Sequence, residues 1–153
     1  MSKFFIGAVR YDKRLEDGQE KKVTEAYLVD ALSFTECESK LVAEMQQYIS
    51  GDFEVVSEKR TNIEELFNQP NEDDADKFYS CKINFITLNE KTGKEKKQAH
   101  NYMVRASNID KVKSIIEHEF NKRMIDYNIV KIEETNILDV FSNDTWRDDS
   151  NAK

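Results

Sequence analysis

Glycine and proline are scarce in this chain of 153 residues, with four of the first and one of the second. So few glycines leave no material for a loop that cradles phosphate, and no Gly-x-Ser-x-Gly elbow occurs. The two histidines, His100 and His118, have no cysteine or histidine at metal-ligand spacing and read as ordinary edge or surface residues. Asp73, Asp74 and Asp76 lack the central glycine and terminal glutamate of a calcium loop. No enzyme activity, metal or cofactor is therefore expected. Cys37 and Cys81 fall at unrelated places and read as buried free thiols, which suits a reducing cytoplasm. Apolar runs of membrane-spanning length are missing, and Met1–Gly7 is followed at once by Arg10, Asp12, Lys13 and Arg14, so neither a signal peptide nor a membrane anchor is expected.

What the chain does contain is an echo. Thr61-Asn62-Ile63-Glu64-Glu65-Leu66-Phe67 returns as Thr135-Asn136-Ile137-Leu138-Asp139-Val140-Phe141, an offset of 74 residues. Six of the sixteen positions from Asp52 to Phe67 are identical to their counterparts from Asp126 to Phe141. Such a spacing reads as an internal duplication.

Each half reads as ββαβ with a terminal helical turn. Phe4–Tyr11 and Val23–Ala31 form a hairpin around Gly18, and Phe78–Leu88 and Ala99–Ala106 form another around Gly93. In the second hairpin Tyr79, Cys81, Ile83 and Phe85 point inward and Ser80, Lys82 and Asn84 outward. Ser33-Phe34-Thr35-Glu36 and Ser107-Asn108-Ile109-Asp110 start helices, the first carrying the stripe Phe34, Cys37, Leu41, Met45 and Tyr48, with Gly51 expected as a left-handed cap. Phe53–Arg60 and Tyr127–Glu134 close each half as strands, and the Thr-Asn-Ile segments read as capped helical turns that bury Ile63, Phe67, Ile137 and Phe141.

A three-stranded sheet with one helix covers its own apolar face poorly. The expectation is an α+β fold in which residues 1–67 and 77–141 share one sheet of about six strands, with both helices on one face. Residues 68–76, polar and acidic around Pro70, read as the linker and residues 142–153 as a loose tail, the whole being one compact pseudo-symmetric domain.

Charge divides the halves more sharply than the net −7 suggests. Residues 1–67 hold nine basic and fourteen acidic groups, whereas residues 77–141 hold twelve and nine. Lys77–Ala106 alone carries seven basic residues against two acids. A basic half points to an anionic partner. Single-strand binders combine a basic track with aromatic platforms, so the candidate nucleic-acid-binding residues are Lys82, Lys91, Lys94, Lys96, Lys97 and Arg105, with Phe78 and Phe4 as stacking rings on the outward face. The competing expectation is a protein-interaction or assembly module, a homodimer through the apolar face Phe4, Ile6 and Ala8.

The run from Lys21 to Glu36, KKVTEAYLVDALSFTE, with Phe85–Gly93 and Asp139-Val140-Phe141, resembles an uncharacterised domain family of Bacteroidetes bacteria and their phages, over residues 3 to about 141. The resemblance implies a small cytoplasmic protein of bacterial or phage origin and no assigned activity. At the level of plan alone the chain is similar to the duplicated single-strand binders of the PUR and Whirly type, which place four strands before each helix where this chain has two before and one after.

Overall fold

A computed structural model describes residues 3–68 and 75–142. The expected linker around Pro70, Asp73 and Asp74 and most of the tail lie outside these residues. The chain runs β1 (Lys3–Arg14), β2 (Glu20–Ala31), α1 (Phe34–Tyr48), β3 (Phe53–Arg60), β4 (Ile63–Phe67), β5 (Lys77–Leu88), β6 (Glu95–Ala106), α2 (Ile109–Arg123), β7 (Tyr127–Glu134) and β8 (Ile137–Phe141). The fold is α+β.

The single sheet of about six strands expected from the sequence is replaced by two mixed sheets of four, ordered β3-β1-β2-β8 and β4-β6-β5-β7. Within each, three strands are antiparallel and the fourth is parallel: β8 runs along β2, and β4 along β6. The chain divides into two compact units, residues 1–62 with 136–153, and residues 63–135. Boundaries at 67 and 141 would leave β4 with the first half and β8 with the second. In the structure β4 completes the second unit's sheet and β8 the first's.

The Thr-Asn-Ile segments are accordingly strands and not helical turns. Their threonines do not cap a helix. Both the N–H and the hydroxyl of Thr61 donate to the carbonyl of Phe4, at 3.0 and 2.7 Å, and Thr135 does the same to Phe78, at 2.9 and 2.8 Å. With the threonine spent on the neighbouring strand, the next residues stay extended and pair in the other unit.

The helices form where their caps predict. Ser33 Oγ accepts from the N–H of Glu36 at 3.1 Å, and Asn108 Oδ1 from Lys111 at 2.9 Å. The end of α1 departs from expectation, since Ile49 closes it with an extended backbone and an N–H bond to Met45, and Gly51 takes no left-handed conformation. At the end of α2 that conformation falls to Met124, at φ 59°.

Each helix covers one face of one sheet. In the first unit Phe5, Val9, Val29, Cys37, Leu41 and Met45 are buried together, joined by Phe141 from β8. In the second, Tyr79, Cys81, Ile83, Val112, Ile116 and Phe120 are buried with Phe67 from β4. The ends of the expected α1 stripe, Phe34 and Tyr48, stay exposed. A buried phenylalanine of this kind is worth about 3–5 kcal/mol against alanine, so β4 and β8 anchor their sheets through Phe67 and Phe141. Ile137 is also buried, and Ile63 is half-buried.

Candidate nucleic-acid interface

The β5–β6 hairpin is built for rigidity. Its strands stay in register without a shift from Lys77 opposite Ala106 to Leu88 opposite Glu95. At the turn, Asn89 Oδ1 accepts from the N–H groups of Lys91 (2.9 Å) and Thr92 (3.3 Å), the N–H of Asn89 donates to Lys94 O (2.8 Å), and Gly93 takes φ 73°, where a side chain would be strained. The turn therefore holds Lys91 and Lys94 at a fixed tip.

Its lysines differ from those of the first hairpin in their surroundings. There, Arg10 pairs with Glu54, Lys13 with Glu25, Arg14 with Glu20 and Lys22 with Asp12, at 3.5 to 3.9 Å. In the second hairpin Lys82, Lys91, Lys94, Lys96 and Lys97 are all exposed, and none has an ion-pair partner among the described residues. Strand alternation divides them. Lys97 lies opposite Ile86 and Lys82 opposite Asn101, on the face turned from α2, whereas Lys96 lies opposite Thr87 on the helix-side face.

Three expected members do not join this cluster. Phe78 does share the outward face with Lys82, but that end of the face is closed: the ring has no solvent exposure, and the Arg105 guanidinium lies over it at 5.4 Å. Phe78 is thus not available to stack a base. Arg105, its cross-strand partner, donates to Ala75 O at 2.8 Å and to Asn68 Oδ1 at 3.5 Å. It sits eight residues along β6 from Lys97, about 27 Å at the rise of a strand. Phe4 is half-buried on β1 and belongs to the first unit.

Two polar clusters emerge that the sequence reading passed over. In the first unit the hydroxyls of Tyr11 and Tyr27 both donate to Glu25 Oε1 at 2.9 Å, while Lys13 approaches Oε2 at 3.5 Å. Burial and then the Glu25 bond push the Tyr11 phenol up to about 12, and Tyr27 moves the same way. Glu25 is so fully engaged by these three groups that the cluster is a structural clasp. In the second unit His100 is half-buried rather than superficial. Its Nδ1 lies 2.6 Å from Glu64 Oε2, its ring stacks on Phe85 at 4.0 Å, and its Nε2 is buried without a hydrogen bond among the described residues. Beside it Arg123 bridges Glu65 (2.9 Å) and Glu119 (3.1 Å). These contacts tie β4 to the second unit, and the only hint in the sequence was a glutamate pair in a segment that reads as helix. His118 is exposed on α2, as its spacing suggests.

Both thiols are buried, and burial pushes Cys37 and Cys81 up to about 12, so neither supplies a nucleophilic thiolate near neutral pH. Among the described residues no group of three His, Cys, Asp or Glu side chains converges on a metal position, and no helix is long and apolar enough to cross a membrane.

Neither the curated proteins nor the solved structures contain a match to this chain. Residues 3–143, nearly its whole length, match a family profile, and the chain belongs to that family, the domain of unknown function DUF4494.

Proposed function

We propose that this protein is a non-catalytic nucleic-acid-binding protein that engages the phosphate backbone through the β5–β6 hairpin. The observation that carries the reading is the contrast between the two hairpins. Four basic side chains of the first have a carboxylate at 3.5 to 3.9 Å, while five lysines of the second stand exposed with no carboxylate partner among the described residues. Unpaired lysines on a rigid hairpin can release counterions from phosphates, which is the main source of sequence-independent affinity. With Phe78 buried, no aromatic platform supports this face, so contact is to phosphates and not to bases, and preference for a single strand has to come from the flexibility of the partner.

In the same reading the two halves are copies of one ββαβ unit, each followed by a further short strand, β4 or β8, that joins the sheet of the other. The 74-residue echo, the matching strand orders and the paired threonine staples support it. The cytoplasm is its proposed place, in keeping with two unpaired buried cysteines.

The test is charge reversal of Lys96 and Lys97 to glutamate, against the same change at Lys21 and Lys22. Affinity for a labelled mixed-sequence oligonucleotide falls more for the first pair, and the slope of log K against log salt shrinks by about 0.7 per lost contact on a single strand. A wild-type protein that binds no oligonucleotide at low salt but sediments as a dimer overturns the reading in favour of an assembly module. The half-buried Phe4, Ile6 and Ala8 on β1 would then be the contact to probe.

A further inference from the structure

On the sheet face turned from α2, β5 lies between β6 and β7. Here Lys82 has Asn101 opposite it on one side and Lys131 on the other, and Asn84 has Asn128 opposite it on β7. The bulge at Val130, where the β5–β7 register shifts, is what brings Lys131 opposite Lys82.

Like charges directly opposite one another destabilise a sheet, and this pair has little relief. Lys131 reaches Glu133 on its own strand at 3.3 Å, but both side chains are 61% exposed and the attraction is screened. No described carboxylate pairs with Lys82. The side-chain amides of Asn84, Asn101 and Asn128 form no hydrogen bond among the described residues. Two ammonium groups and three idle amides thus share one face of these three strands, with Lys97 further along the same face toward the hairpin tip.

Resting on the reading above, we infer that the Lys82–Lys131 pair and the amides of Asn84, Asn101 and Asn128 form a second contact for the nucleic-acid backbone, a phosphodiester lying between the two ammonium groups and the amides donating to its oxygens. An anion in that place converts the cross-strand repulsion into two attractions. An acidic protein surface fits less well, because the cores of protein interfaces are poor in lysine and rich in aromatic rings, and the centre of this patch is made of lysines and asparagines.

The experiment uses the full chain with Lys82→Glu, Lys131→Gln and, at the hairpin tip, Lys94→Glu. Melting temperature and anisotropy of a labelled mixed-sequence single strand are read across a salt series, with polyglutamate and the matching duplex as competitors. Lys82→Glu removes the like-charge opposition, so its melting temperature rises by about 1–4 °C while affinity falls several-fold and the salt slope shrinks. Lys131→Gln weakens binding without lowering the melting temperature. A residue that merely supports the sheet would not show gained stability together with lost binding. Full affinity in both face variants, with binding lost in Lys94→Glu, overturns this inference and leaves the hairpin reading intact. No binding by the wild type at low salt overturns both. Competition by polyglutamate equal to that of the oligonucleotide overturns the choice of partner, and a duplex that competes as well as the single strand supports a phosphate contact indifferent to strandedness.

Discussion

The carbonyl oxygen of Phe78 accepts two hydrogen bonds from one residue, the N–H of Thr135 at 2.9 Å and its hydroxyl at 2.8 Å. Thr61 makes the same double contact with Phe4 in the other unit. Each threonine stands at the point where the chain leaves one sheet for the other, so it fixes the exit of the strand before.

Replacing either threonine by valine keeps the shape and the β-branching but removes the hydroxyl. A cost of about 1 kcal/mol is expected for each, or roughly 2–4 °C in a chain of this size. Serine should restore most of the loss. Thermal melts of Thr61→Val, Thr135→Val and the two serine variants check this. A valine variant as stable as the wild type would show the hydroxyl bond to be idle.

Gly7 faces Leu41 so closely that a Cβ at its position would lie 2.6 Å from Leu41 Cδ2. Leu41 is fully buried and cannot swing into solvent. Gly7→Ala is therefore expected to destabilise by about 1–3 kcal/mol through overpacking. A second change, Leu41→Val, should recover part of it by withdrawing the clashing methyl group, which a denaturant titration of the single and double variants resolves. Failure of the second change to recover anything would locate the strain elsewhere.

Stability should decline in alkali. Burial raises the folded-state values of Cys37, Cys81, Tyr11 and Tyr102 to about 12, from ordinary values of 9.0 for the thiols and 10.0 for the phenols. Above those ordinary values the unfolded chain releases protons that the folded chain still holds, so stability falls as pH rises. The stabilising effect is complete below about pH 9 and is lost progressively toward pH 12. Melting temperatures across that range test the sign. Cys37→Ala combined with Cys81→Ala should flatten the fall between pH 9 and 10, where the thiols act before the phenols.

Much of the local structure was legible in the sequence because it is decided by near neighbours. The hairpins around Gly18 and Gly93, the caps Ser33 and Asn108, and the inward row Tyr79, Cys81, Ile83 and Phe85 follow from turn chemistry and periodicities of two and 3.6 residues. The basic character of the second hairpin is equally a property of composition. Ile63–Phe67 and Ile137–Phe141 were misread because five residues with mixed apolar and acidic positions satisfy a short helical turn as well as an edge strand. Only pairing with β6 and β2 over long sequence separations decides between them. The partner of each charge was likewise invisible. Nothing local says that Arg105 lies over Phe78, that Glu64 meets His100, or that a bulge at Val130 sets Lys131 against Lys82. The sequence alone determined which segments are hairpins and helices and where positive charge is plentiful, since those depend on residues a few positions apart. Tertiary structure decided which strands complete which sheet and which lysines are left without a carboxylate, because both depend on register between segments that the chain brings together only on folding.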